Sequence, residues 1–412
     1  MSVGIVIPVW NLWDTMTLPC LMSLVKYTNI QDIHVYLVDN ASTDKTASHA
    51  EKMGCNLFGK DHFTYIKNQE NLGFAIACNQ GAEATKKDGH EFILFLNNDT
   101  IVTENWLPPL VKAMENPRVG MVGPLLLYPD STVQHCGVVF NPIGKVAHIY
   151  SYFPQNHPVV KKSRKYRVIT GAVLLCRTQE FFALGGFYEG FKNGFEDIDL
   201  CYAYVENEQM QKVITSSVVY HHTSQTPGRL DTEVNLRNGQ LLAERKPNII
   251  RDAHLYYAQD GYVPALTKDF VGYVRLSEEK RKNFNKQIKE NYSDTLCRSL
   301  LNQEPFWHDG YQILIESLVK QNLILDALQV CQKAISYKYC RQTLEQFVKV
   351  AEKSHDEKLY LDVKIPTEQQ IAKFTPNKSG YQERFMDYFS GNDWCERLLE
   401  TQKLDNEIFG DY

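Results

Sequence analysis

The apolar run Phe92-Ile93-Leu94-Phe95-Leu96 passes directly into Asn97-Asn98-Asp99-Thr100. Five apolar residues without a charge read as a buried parallel strand. Its end delivers amide and carboxylate oxygens in a row, where an open α/β sheet binds its ligands. Hard oxygen donors at that position suit a divalent cation carrying a diphosphate. Taken alone, Asn-Asn-Asp reads better as an Asx-rich turn.

The same ending recurs. Gly4-Ile5-Val6-Ile7-Pro8-Val9 closes on Trp10-Asn11, and Val35-Tyr36-Leu37-Val38 closes on Asp39-Asn40-Ala41-Ser42-Thr43-Asp44. Asn71-Leu72-Gly73-Phe74-Ala75 then leads through Asn79-Gln80-Gly81 into the Asn-Asn-Asp strand. Strands with polar ends in this order can converge on one pocket. The elements that must position them are strands alternating with helices up to about residue 125, the pattern of βαβ units. Helices are expected over 16–27, 44–53 (with Ser42 or Thr43 as N-cap), 75–87 and 105–116. Later come a strand over 168–176, a helix from Glu196 to Glu208 and a strand over 213–220. The basic run Lys161–Arg167 reads as a solvated loop or as a flap whose cations meet an anion.

Together these segments resemble the family-2 inverting glycosyltransferases with a GT-A fold, closest to the rhamnosyltransferase-like and galactofuranosyltransferase-like branches. The resemblance rests on Pro8-Val9-Trp10-Asn11, Val38 to Asp44, Asn71 to Ala75 and Leu96 to Asp99, joined by Thr170-Gly171-Ala172, Gly194 to Leu200 and His221-His222. It covers roughly residues 1–250. It implies an α/β GT-A nucleotide-diphospho-sugar transferase fold, with a mostly parallel central sheet flanked by helices, followed by an α-helical C-terminal region. The expected domains are a catalytic 1–250 and a helical 251–412 for acceptor docking or self-association. Within the latter, 325–334 resembles one helix of a tetratricopeptide unit, with no second copy at a fixed period.

The resemblance also assigns roles. Asp197 is the general base and Glu196 orients the acceptor. Asp99 and His221 hold Mn2+ or Mg2+, with His222 the alternative to His221. Asn97 stands where the family usually has Asp, and so serves either the cation or the donor's hydroxyls. Pro8, Trp10, Asn11, Asp39, Asn40, Ser42, Asn71, Gly73, Asn98 and Gly171 line the nucleotide-sugar site, and Asp39 accepts the imide N–H of uracil or thymine. Transfer is expected from a UDP- or dTDP-sugar to a carbohydrate, lipid-linked glycan or protein hydroxyl, in bacterial surface polysaccharide or glycoconjugate synthesis. A catalytically dead scaffold of the same fold is the non-enzyme alternative.

Composition narrows the classes. The 412 residues exceed one ordinary core. A net charge of −5 argues against nucleic acid as a partner. No apolar run approaches a membrane span, and the first strand begins almost at once, so a cytoplasmic protein is expected, with peripheral association at the membrane's inner face left open. Ten cysteines stand singly without a Cys-x-x-Cys pair, as buried thiols rather than metal ligands. Dinucleotide-binding oxidoreductases and P-loop enzymes are disfavoured, because neither glycine-rich motif is present.

Overall fold

The computed structural model describes residues 2–141, 145–223, 232–267 and 271–374. These residues divide into two compact units, one from Met1–Val139 and Val146–Ile250, the other from Phe140–Lys145 and the described residues from Arg251 onward.

In the first unit, strands β1 (Val3–Val9), β2 (Ile33–Asp39), β3 (Phe63–Lys67) and β4 (Phe92–Leu96) alternate with helices α1 (Leu18–Tyr27), α2 (Thr46–Phe58) and α3 (Phe74–Lys87). Then follow β5 (Thr100–Val102), α4 (Leu107–Ala113), β6 (Val119–Leu127), β7 (Val133–His135), β8 (Val138–Phe140) and β9 (Val146–His148). The unit continues with α5 (Pro158–Lys161), β10 (Arg164–Tyr166), β11 (Val173–Arg177), α6 (Thr178–Ala183), α7 (Glu196–Glu206), β12 (Met210–His221) and α8 (Thr232–Arg245).

The main sheet runs β10-β12-β6-β11-β4-β1-β2-β3, with β5 on β12 and β7 on β6. It is parallel through β4-β1-β2-β3 and again between β6 and β12, with β11 inserted antiparallel between β4 and β6. The central strands are buried on both faces, which is why β1 and β4 carry uninterrupted apolar runs. Helix α3 lies close on the sheet because Gly81 faces Val6: a Cβ there would stand 2.3 Å from Val6 Cγ1.

Several local expectations are corrected. Helix α2 starts at Thr46, and neither Ser42 nor Thr43 caps it; Asp44 Oδ1 accepts the Thr46 N–H instead. The chain enters α1 through a π-helical turn, Trp13–Thr17. The basic run 161–167 is neither a loop nor a flap. It ends α5 and forms the edge strand β10, antiparallel to β12, with Arg167 only 3% exposed. Residues 168–172 precede β11 rather than belong to it, which frees them to reach the cleft described below.

The second unit holds α9 (Ala253–Gln259), α10 (Glu278–Glu290), α11 (Asp294–Gln303), α12 (His308–Lys320), α13 (Ile324–Tyr337), α14 (Arg341–Glu352) and α15 (Glu357–Ala372). It also contains an antiparallel hairpin, β13 (Tyr262–Leu266) and β14 (Gly272–Leu276), that hydrophobic patterning did not reveal. Consecutive helices α12 to α15 pack on one another. The acidic, aromatic stretch after residue 380 lies outside the described residues.

Gly81→Ala is expected to lower the thermal midpoint of the first unit. Overpacking a filled core costs about 1–3 kcal/mol, and this outweighs the ~1 kcal/mol that alanine gains in a helix. A midpoint at or above wild type in a calorimetric scan would show that α3 can shift outward freely.

Candidate active site

At the carboxyl ends of β1, β2 and β4 the unit opens into a cleft of about 980 Å³, its open mouth included. Pro8, Trp10, Asn40, Asn71, Asn97, Asn98, Asp99, Gly171, Glu196 and Asp197 all line it. Asn11, Asp39, Ser42, Gly73 and His221 are not among the lining residues.

The first three of those brace the walls. Asp39 is fully buried, and its Oδ1 accepts from the Ser42 N–H at 2.8 Å while Oδ2 accepts from the Tyr65 hydroxyl at 2.5 Å. The carboxylate thereby holds the loop after β2, with lone pairs left on both oxygens for a further donor. Ser42 Oγ accepts the Asn11 N–H at 2.8 Å, and Asn11 Oδ1 accepts the N–H groups of Thr43 and Asp44. Asn11 and Leu12 both lie in the left-handed region, φ 61° each, a conformation that costs non-glycine residues energy and persists only under such restraint.

Asn40 is the hub of the opposite wall. Its Nδ2 donates to Asn71 Oδ1 and to the Gly73 carbonyl, and its Oδ1 accepts from the Leu72 N–H and from Asn68 Nδ2. All four hydrogen-bonding sites of the amide are therefore used. Gly73 (φ 90°) shapes the turn entering α3 rather than touching the cleft.

The acidic face is joined across the cleft floor. Asn97 N–H donates to the Ala172 carbonyl at 2.8 Å, and the next amide, Gly171 N–H, donates to Asp197 Oδ2 at 2.8 Å. A Cβ at Gly171 would stand 3.1 Å from the Asp197 Cβ, so glycine permits this approach. Asp197 Oδ1 accepts the Ile198 N–H, and Glu196 Oε2 accepts the Gly194 N–H at 2.7 Å.

His221 sits directly behind Asp99, with Nε2 3.0 Å from Oδ1. Asn97 Nδ2 is 3.4 Å from the same nitrogen. The other ring nitrogen, Nδ1, pairs with Gln134 Oε1 at 3.0 Å, which fixes the ring and directs Nε2 to the carboxylate. The register of β12 on β5 sets this alignment: His221 opposes Thr100, and the His222 N–H donates to the Asp99 carbonyl. His221 is the histidine turned toward Asp99, with 3% of its surface exposed. Imidazole and carboxylate side by side are a donor pair that fits Mn2+ or Mg2+, with Asn97 able to add an amide oxygen by rotating its side chain. Among the described residues, no three His, Cys, Asp or Glu side chains gather around such an ion. Any metal here would therefore depend on ligand oxygens for the rest of its shell. Beneath the cleft, Cys20 Sγ lies 3.6 Å from Thr100 Oγ1, and burial pushes its thiol up to about 12, leaving it uncharged.

Residues 4–167 match the family model Glycosyl transferase family 2. That segment is a glycosyl transferase family 2 domain. Relatives similar to it include the O-antigen biosynthesis protein RfbC of Myxococcus xanthus, 37% identical over 124 residues (28% of this chain, 10% of that protein). Another is the N-acetylglucosaminyl-diphospho-decaprenol L-rhamnosyltransferase of Mycobacterium tuberculosis, 26% identical over 222 residues (48% of this chain, 69% of that protein). The chain thus spans only a tenth of the length of the first of these. A solved structure of GalNAc-T7 with UDP, GalNAc and Mn2+ superposes with a TM-score of 0.50 at 17% identity, over 63% of this chain and 50% of that one. The fold is GT-A. Asp197 and His221 lie beyond the matched segment.

Two cleft residues carried no motif: Leu12 and Asn193. Only Asn193 left a trace, an Asn-Gly dipeptide of the kind that marks tight turns. Gln134 left none, because its partner is 87 residues away in sequence.

Replacing Asn40 tests the wall. Asn40→Ala removes four hydrogen bonds; Asn71 Oδ1, Asn68 Nδ2 and the Gly73 carbonyl each keep a second partner, while the half-buried Leu72 N–H loses its bond to Asn40, so a loss of about 1–3 kcal/mol is expected. Asn40→Asp is expected to be no better, since a second oxygen would face Asn71 Oδ1 and the Gly73 carbonyl. Denaturation midpoints showing Asn40→Asp near wild type would mean that the amide is not the hub.

Proposed function

We propose that this chain transfers a sugar from a UDP- or dTDP-linked donor to a hydroxyl acceptor with inversion, in synthesis of a bacterial surface polysaccharide or glycoconjugate. One observation carries the reading: Asp197, borne on the first turn of α7, and the Asp99 that pairs with His221 line the same cleft. Inverting transfer needs one base at the acceptor hydroxyl and a separate means of neutralising the departing diphosphate. The relatives named for rhamnosyl transfer and O-antigen synthesis support the substrate class.

Asp197 takes the acceptor proton. Backbone hydrogen bonds from Gly171 and Ile198 fix the carboxylate's direction. Glu196, 6% exposed and tied to Gly194, holds the turn beside it and orients the acceptor. Asp99 and His221 would hold Mn2+ or Mg2+, and the bound cation would supply positive charge to the leaving diphosphate. Asn97 in place of a second aspartate lowers the negative charge of that pair, so the donor diphosphate contributes more of the binding. Trp10 and Pro8 offer a flat apolar wall for the base, Asn71 and Asn98 offer amides to ribose and sugar hydroxyls, and Asn40 holds Asn71 in place. No helix among the described residues is long and apolar enough to cross a membrane. A lipid-linked acceptor would therefore be met at the membrane surface.

Asp197→Asn is expected to reduce kcat by about 10²–10⁴-fold, the usual contribution of a general base, with the KM for donor little changed. Retention of a tenth or more of wild-type kcat removes Asp197 from that role.

Asp99→Ala and His221→Ala are each expected to weaken Mn2+ binding, read by calorimetry, and UDP affinity in its presence, while leaving uridine binding unchanged. Gln134→Leu should weaken the metal by about 10–100-fold through the freed imidazole. Mn2+ titrations indistinguishable from wild type in all three would exclude this metal site.

A further inference from the structure

Asp197 stands on a turn that few residues adopt willingly. Asn193 (φ 51°), Gly194 (φ 154°) and Phe195 (φ 77°) all have positive φ, and α7 begins immediately after them without a side-chain cap. Two of the three are not glycine, so the turn stores strain that its surroundings must hold.

What holds it comes from α8, more than forty residues later. Asn238 is 1% exposed. Its Nδ2 donates to the carbonyls of Lys192 (2.9 Å) and Gly194 (3.0 Å), and its Oδ1 accepts the Lys192 N–H (3.3 Å). The amide thus pairs with both polar groups of Lys192 and reaches into the strained segment. One helical turn on, Leu242 is buried, and at the seventh position Arg245 grips the far side of α7's first turn. Its Nε and Nη2 donate to the two oxygens of Asp199 at 2.8 and 3.0 Å. The guanidinium also lies over the Tyr188 ring, 3.6 Å from its centroid. Spacing of four and three places Asn238, Leu242 and Arg245 on one helix face.

We infer that α8 is a brace for the reacting carboxylate, with Asn238 and Arg245 as positioning residues that fix the 193–195 turn and the start of α7 so that Asp197 meets the acceptor hydroxyl. This rests on the reading of Asp197 as base. Neither side chain lines the cleft, so their effect passes through Asp197 and not through donor contacts. A bidentate guanidinium also balances Asp199, two residues from the base, which would otherwise crowd it with like charge.

The test separates the brace from the base. Asn238→Ala is expected to lower transfer kcat by about 10–100-fold, the cost of a displacement near 1 Å, with UDP affinity within about two-fold of wild type. In an Asp197→Asn background the same substitution should cost nothing further, since residues acting as a unit are not additive. Arg245→Lys, which keeps the charge and loses the fork, should behave alike and serves if Asn238→Ala does not fold. Wild-type kcat in both variants overturns the brace. So does an equal loss in both backgrounds, or a loss of UDP affinity as large as the loss in kcat. Failure of Asp197→Asn alone to reduce kcat is a different result: it removes the base assignment, and with it the brace's stated purpose.

Discussion

The pairing of β12 with β5 is the constraint on which the candidate site depends. Because side chains alternate along a strand, a slip of one residue would turn His221 away from Asp99 and present Tyr220 or His222 in its place. The register is held by burial: β5 lies against α1, and Val219 and Val102 are both fully buried where they face each other. The core thereby selects which histidine meets the carboxylate. Gln134, on β7 beside β6, then fixes the ring's rotation.

The two chemical halves of the cleft are linked by backbone more than by side chains. Asn97 is bonded to Ala172, and the adjacent amide of Gly171 to Asp197, so the strand bearing the acidic turn and the helix bearing the proposed base share a short hydrogen-bonded path. Such a path is stiff, and each end resists displacement of the other. Around it, the polar walls are held by amides that recur in one arrangement. Asn79 pairs with both polar groups of Phe187, as Asn238 does with Lys192. An asparagine supplies a donor and an acceptor to a loop peptide that has no ladder partner.

What could be read from the sequence follows from how local the signal is. Asn97 to Asp99 announce themselves because a buried strand runs straight into them, and Glu196-Asp197 because they open a helix. Gln134, Asn238 and Arg245 act on residues 44 to 87 positions away, and nothing in their own neighbourhoods marks them. Asp39 shows the opposite case. Its motif is plain, but only the fold shows that Ser42 and Tyr65 both bond to its carboxylate. The hairpin of β13 and β14 escaped notice because its strands are short and mostly half-exposed, so they lack a strong alternation. The basic run at 161–167 was misjudged because charge density ignores the edge strand that can carry it.

The contact between Glu196 Oε2 and the Gly194 N–H bears on how the protein ages. An asparagine followed by glycine is the dipeptide most prone to spontaneous deamidation, because an unhindered glycine nitrogen can attack the side-chain amide and close a succinimide. Asn193-Gly194 is such a pair on an exposed rim of the cleft. Here the attacking nitrogen is engaged by a carboxylate, and the left-handed backbone is pinned on the neighbouring carbonyls. The bonds that shape the turn before Asp197 therefore also slow its chemical decay. Loss of that protection would place an added negative charge, and an isomerised backbone, at the rim of the cleft, four residues before Asp197.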